Sequence, residues 1–178
     1  MVYNMEYKYT KNDIEILNIE EQENIIQWVK KNYLRLKKNG DKKYMRSMYE
    51  IPDIPNIVWD IRKRIVEKEN LYDAKQEPIF KDTIGYMLDG GQLHKHTDPN
   101  EGDLIHTRFN VYVQLPIEGG IPIYNDKICK LKERTYICCR AGLDLHYCEK
   151  VIGDRERIIL SYGFLLPKER ISNIIYDY

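Results

Sequence analysis

Apolar residues repeat at helical spacing in the first third of the chain and at strand spacing after it. Asn18 with Glu21 three positions on forms a helix-capping pair, and Ile25, Val29, Tyr33 and Leu36 follow on one helical stripe, with Gly40 as the stop. A second stripe, Val58, Ile61 and Ile65, predicts a helix from about Asp53–Pro55 to about Asn70. From about Glu77 the pattern changes to short apolar runs broken by turn residues. Strands are predicted at Ile79–Leu88, Gln92–Thr97, Thr107–Leu115, Ile121–Tyr124, Lys127–Leu131, Thr135–Cys139, Asp144–Cys148 and Arg157–Leu165, with Asp89-Gly90-Gly91, Gly119-Gly120 and Asn125-Asp126 as turns. Eight short strands at this spacing suit a double-sheet jelly roll of the cupin kind rather than an alternating βαβ fold. The expected fold is α+β, mainly β: a helical front part (residues 1–74) whose two amphipathic helices lie on one sheet of a jelly-roll core (residues 75–178). The Tyr-rich extreme N-terminus reads as an edge strand or an arm.

The 178 residues suffice for one domain with a real core. Formal net charge is zero, which argues against a nucleic-acid partner. The basic runs Lys37-Lys38, Lys42-Lys43 and Arg62-Lys63-Arg64 read as solvated faces or loop tips. No apolar run is long enough for a membrane span, and the first residues lack a signal-peptide core. Cys129, Cys138, Cys139 and Cys148 contain no Cys-x-x-Cys pair, so the thiols are expected free and reduced, in an intracellular, cytoplasmic setting. The abundance of Ile, Lys, Asn and Tyr suits an AT-rich genome; for a viral source the setting becomes host cytoplasm or virion.

Chemistry enters at His96-Thr97-Asp98. Residues two apart on a strand point the same way, so this pair offers a nitrogen and an oxygen to one side of a metal ion. His146, on a later strand, supplies a third ligand. Two histidines and a carboxylate with the opposite face open suit non-haem Fe(II). Arg157, at the start of an apolar strand, suggests a carboxylate bound beside the metal. His94 has the same parity as His96, so a zinc site made of His94, His96 and His146 is the competing arrangement. With Asp98 as ligand, His94 becomes a pocket-mouth residue.

Together these stretches resemble the Fe(II)- and 2-oxoglutarate-dependent dioxygenases. The resemblance runs from Ile84-Gly85-Tyr86 through His96-Thr97-Asp98 and Arg108-Phe109-Asn110-Val111-Tyr112-Val113-Gln114-Leu115-Pro116 to Gly119-Gly120, His146 and Gly153–Phe164, roughly the C-terminal half of the chain. The Arg-x-Asn strand followed by Gly-Gly looks most like the prolyl-hydroxylase-type members and their double-stranded β-helix. The resemblance implies iron held by His96, Asp98 and His146, and 2-oxoglutarate whose far carboxylate pairs with Arg157 in preference to Arg155. It also implies hydroxyl contacts from Tyr86 and Tyr124 to the co-substrate, O2 as oxidant and ascorbate as an accessory reductant. On the central strand, Phe109, Val111, Val113 and Leu115 form an apolar face, while Arg108, Asn110, Tyr112 and Gln114 form a polar one. That polar face would line a pocket for a charged co-substrate, Asn110 first and Arg108 and Gln114 after it.

The expected activity is therefore hydroxylation, with a peptide side chain such as proline as first choice of substrate and a small molecule next. Two other classes stay open: a non-catalytic jelly-roll binding or structural module, and a zinc hydrolase.

Overall fold

In the computed structural model, residues 15–38, 40 and 42–172 are described. The Tyr-rich N-terminal arm falls outside them. The elements run α1 (Ile19–Asn32), β1 (Lys37–Lys38), β2 (Lys43–Ser47), α2 (Asn56–Lys68), β3 (Lys75–Gln76), β4 (Thr83–Met87), β5 (Leu93–His96), β6 (Leu104–Gln114), β7 (Pro122–Tyr124), β8 (Lys127–Ile128), β9 (Tyr136–Cys139), β10 (His146–Cys148), β11 (Arg157–Pro167) and α3 (Lys168–Ile171), with short 3-10 turns at Tyr33–Arg35 and Met48–Glu50.

Two antiparallel sheets face each other, as the jelly-roll pattern predicts. The larger has the order β1-β2-β4-β11-β6-β9, with β3 also paired to β11; the smaller has the order β5-β10-β7-β8. Neighbours in these sheets are far apart in sequence, so the last strand, β11, lies between β4 and β6 at the centre of the larger sheet. Both helices cover its outer face. The capping box forms as read: Asn18 Oδ1 accepts from the Glu21 amide at 2.9 Å and Glu21 Oε2 accepts from the Asn18 amide at 2.8 Å. Ile25, Val29, Val58, Ile61 and Ile65 are fully buried. Tyr162 of β11 donates to the carbonyl of Val58 at 2.6 Å, and Gln22 donates to that of Val113 at 2.6 Å, which fixes each helix to the sheet.

Three sequence expectations change. The front part is not purely helical, because α1 stops at Asn32 and the chain turns into β1 and β2 before α2; Tyr33 and Leu36 lie beyond the helix. The predicted strand from Ile79 begins only at Thr83, since the buried Glu77 carboxylate accepts the amides of Ile79, Phe80 and Lys81 and ties them into a turn. The run Arg62-Lys63-Arg64 is not simply a solvated face. Arg62 pairs with the buried Asp82 at 2.7 Å and Arg64 with Glu21 at 2.6 Å. No disulfide joins the four cysteines among the described residues, and all four are buried. No helix among the described residues is long and apolar enough to cross a membrane.

Candidate metal and co-substrate site

Between the sheets lies a cavity of about 260 Å³ lined on one side by β2, β4, β6 and β11 and on the other by β5, β7 and β10. Alternation along β11 sorts its residues. Ile158, Leu160, Tyr162 and Phe164 are buried in the apolar core, whereas Arg157, Ile159 and Ser161 line the cavity. On β6 the polar face reaches the cavity through Arg108, Asn110 and Tyr112. Gln114 does not. The register slips between Ile158 and Ile159, so Gln114 opposes Ile158 while Tyr112 opposes Ile159. Gln114 instead donates to the Glu156 carbonyl at 2.8 Å.

His96 and His146 are direct partners across β5 and β10, and His146 is also the partner of Tyr124 on β7. Directly paired residues point to the same face, so the three form one row across the smaller sheet. The two imidazole centroids lie 4.2 Å apart. Asp98 follows β5, placed by its amide donating to the Ala141 carbonyl at 2.7 Å. One ligand atom from each of His96, Asp98 and His146 lies within 4.8 Å of the others. His96 Nδ1 is 2.7 Å from the carbonyl of His94 and His146 Nδ1 is 2.9 Å from that of Asp144. A carbonyl only accepts, so both Nδ1 atoms carry the proton and both Nε2 lone pairs are left for a metal. His96 Nε2 is 3.4 Å from Asp98 Oδ1. His94, by contrast, is exposed and its imidazole does not join the cluster. It serves the site through its carbonyl, and the zinc set of His94, His96 and His146 does not assemble.

Charge follows the geometry. Once protonated, His96 can donate from Nε2 to Asp98, which raises its pKa, while burial lowers that of His146 and favours the neutral form. Burial works to raise the Asp98 carboxyl, but the His96 hydrogen bond and the neighbouring His106, His146 and Arg108 outweigh it and hold Asp98 below the usual carboxylate range. Sequence reasoning named Arg108 as a pocket candidate but not the group that surrounds it. Fully buried His106 has Nε2 3.1 Å from Arg108 and 3.7 Å from Asp98 Oδ2, and buried Glu77 lies 3.5 Å from Arg108. Arg108 also donates to Ser161 Oγ at 2.6 Å, Ser161 donates to Asn110 Oδ1 at 2.5 Å, and Asn110 donates to Tyr124 at 3.3 Å. Glu77 was legible only as a polar residue at the helix-to-strand boundary.

At the other end of the cavity Arg157 is buried, with NH1 3.7 Å from the Met87 sulfur and its guanidinium 5.7 Å from the Tyr112 ring centroid. Its Nε and the Tyr112 hydroxyl are buried without a hydrogen-bond partner. Among the described residues no carboxylate pairs with it. A buried unpaired guanidinium is costly, so a cavity that ends on one fits an anionic ligand. Gly119 and Gly120, both at positive φ, let the β6–β7 loop close over this residue; a Cβ on Gly120 would meet Val151 at 2.8 Å and Arg157 Cδ at 3.5 Å. Arg155 is elsewhere, paired with Glu133 at 2.6 Å and donating to the Leu115 carbonyl at 2.5 Å. Parity placed both arginines on one face, but regular strand begins only at Arg157. Tyr86 lines the cavity with its hydroxyl turned to Glu156 at 2.9 Å, and Tyr124 and Asn110 line it beside His146.

No protein-family profile matches the chain, and no curated protein matches it. Solved structures do. The viral collagen prolyl hydroxylase vCPH from Paramecium bursaria Chlorella virus-1, a 2-oxoglutarate complex, aligns with a TM-score of 0.64 at 19% identity, over 85% of this chain and 92% of that one. HygX from Streptomyces hygroscopicus, with nickel, 2-oxoglutarate and hygromycin B bound, gives a TM-score of 0.63 at 8% identity over 85% and 80%. A Pseudomonas putida prolyl-4-hydroxylase gives 0.57 at 13% over 87% and 90%. The chain thus has the double-stranded β-helix fold that these oxygenases share.

Proposed function

We propose that this protein is an Fe(II)- and 2-oxoglutarate-dependent dioxygenase that hydroxylates a peptide side chain such as proline, with a small-molecule substrate as the next choice. One observation carries the reading. Three side chains able to ligate a metal, His96, Asp98 and His146, converge in the same cavity as a buried arginine with no carboxylate partner among the described residues. Neither feature alone is specific; a divalent ion and a dicarboxylate together answer both.

In this reading His96, Asp98 and His146 hold the iron and leave the opposite face open. Arg157 takes the far carboxylate of 2-oxoglutarate in a charge-assisted pair, and the partnerless Tyr112 hydroxyl is available beside it. Bound together, Fe(II) and 2-oxoglutarate supply the oxidising chemistry with O2, releasing succinate and carbon dioxide. The remaining work belongs to the chain. The carbonyls of His94 and Asp144 fix the imidazole tautomers, so the ligands meet the ion already oriented. The His96 hydrogen bond and the nearby Arg108 guanidinium keep Asp98 ionised. Apolar Met87, Leu93, Pro122 and Ile159 among the lining residues limit water and hold a substrate C–H near the metal. Support for a prolyl substrate comes from two fold neighbours named as prolyl hydroxylases, and support for a small molecule from a third with hygromycin B bound.

The test is anaerobic addition of Fe(II) and 2-oxoglutarate. A weak visible charge-transfer band is expected in the native protein and not in Asp98→Ala, together with succinate release in air. Absence of both the band and succinate overturns the reading.

A further inference from the structure

Lys43 stands in the first of three directly paired positions across the larger sheet. It opposes Met87, and Met87 opposes Arg157, so all three side chains point into the cavity. It is half-buried there, and its charge reaches both His96 and Arg157. Some surface lysines have carboxylates, as in Lys95 with Asp126 at 2.5 Å and Lys30 with Glu156 at 3.0 Å. Among the described residues Lys43 has none.

A count of charges shows what is missing. If the site binds as proposed above, a divalent ion, a doubly charged keto acid, the Asp98 carboxylate and the Arg157 guanidinium sum to zero. Arg108 is already balanced by Glu77. The Lys43 ammonium is the one positive charge of the lining left over, and burial of an unmatched charge is unfavourable. Burial does lower its pKa, and Arg157 adds to the effect. Met87 lies between Lys43 and Arg157 on the strand that separates them, so Lys43 enters the cavity at a position distinct from that of Arg157.

We infer that Lys43 is a specificity-determining residue that binds an anionic group, a carboxylate or a phosphate, on the primary substrate and so sets its reacting carbon beside the metal. This inference rests on the dioxygenase reading and adds the substrate's charge to it. In a peptide the anionic group would be an acidic side chain or a terminal carboxylate near the target; in a small molecule, a carboxylate or phosphomonoester.

The experiment uses the whole protein loaded with Mn(II) and 2-oxoglutarate, and reads paramagnetic relaxation of three probes by NMR: N-acetylproline, its amide and glycerol 3-phosphate. The acid or the phosphate should relax at least about fivefold more strongly than the amide, and which of the two does so separates carboxylate from phosphate recognition. In Lys43→Met the enhancement should fall about tenfold, as expected for loss of a charge-assisted pair. In Lys43→Arg it should persist. Equal relaxation of acid, phosphate and amide by the native protein overturns the inference without any variant. An undiminished enhancement in Lys43→Met overturns it too, because the anion would then be held by the metal. So does a Lys43→Met protein whose 2-oxoglutarate affinity falls about tenfold or more, since Lys43 would then serve the co-substrate. Failure of the native protein to bind Mn(II) and 2-oxoglutarate would instead remove the underlying reading, and this inference with it.

Discussion

The guanidinium of Arg157 lies 5.7 Å from the ring centroid of Tyr112, and both its Nε and the Tyr112 hydroxyl are buried without partners. Two orphaned donors at one end of a cavity weaken the empty protein and strengthen a complex, so a substitution there should have opposite effects on the two. Arg157→Met should raise the stability of the ligand-free protein by about 1–4 kcal/mol, because an apolar side chain of similar length replaces a buried unpaired charge. The same change should cost about 2–5 kcal/mol in 2-oxoglutarate binding. Thermal melts with and without metal and 2-oxoglutarate check both halves. A variant that melts lower when empty, or keeps its full ligand-induced shift, contradicts this account of the residue.

The three candidate metal ligands make a separate prediction. Asp98→Ala and His146→Ala each remove one of three donors, and should weaken Mn(II) binding by more than about 100-fold, beyond the loss typical of supporting residues. His94→Ala should stay within about threefold, because the backbone carbonyl that orients His96 is retained in any side-chain variant. Titration followed by electron paramagnetic resonance separates them. A large loss in His94→Ala would bring back the three-histidine set.

Behind Asp98, Glu77 neutralises Arg108 at 3.5 Å and also accepts three backbone amides. Glu77→Gln removes the buried carboxylate that ion-pairs with Arg108 and should destabilise the fold by about 3–5 kcal/mol in urea unfolding. Arg108→Leu placed on top of it should recover part of that loss, because the guanidinium that lost this partner is then gone. Additive losses in the double variant would show that the two residues act independently.

How much of this was readable from residues alone depends on what carried the signal. The α1 capping pair and the stripes Ile25–Val29 and Val58–Ile61–Ile65 were legible because a helix states its buried face locally. The long apolar strands were legible for the same reason. β1 and β2 were not: Lys37-Lys38 and Lys43-Tyr44-Met45-Arg46 lack apolar alternation, and their strand character comes from pairing with β4. That loss mattered, since it left Lys43 as one more solvated charge. The gathering of His96, Asp98 and His146 followed from motif order, yet the cross-strand register that makes His96 and His146 direct partners belongs to the tertiary fold. Arg155 against Arg157 turned on where a strand begins, a boundary that parity alone does not supply.

A last prediction concerns Glu69, just past the C-terminus of α2 and away from the cavity. Its carboxyl is buried, accepts a hydrogen bond from the Tyr136 hydroxyl, and burial pushes its pKa up from 4.5 to about 7. The sign follows from linkage. A carboxyl whose folded pKa lies above its unfolded one favours the folded state while protonated, so the contribution is complete below about pH 4.5 and is lost as pH rises through about 7. A gap of this size corresponds to about 3 kcal/mol. Native protein should therefore lose stability between pH 5 and about 7.5, whereas Glu69→Gln, which still accepts from Tyr136 but cannot ionise, should lose far less over the same interval. Urea midpoints at pH 5, 6, 7 and 8 for the two proteins decide it. Parallel curves would mean that the Glu69 carboxyl ionises in the folded protein as it does in the unfolded chain.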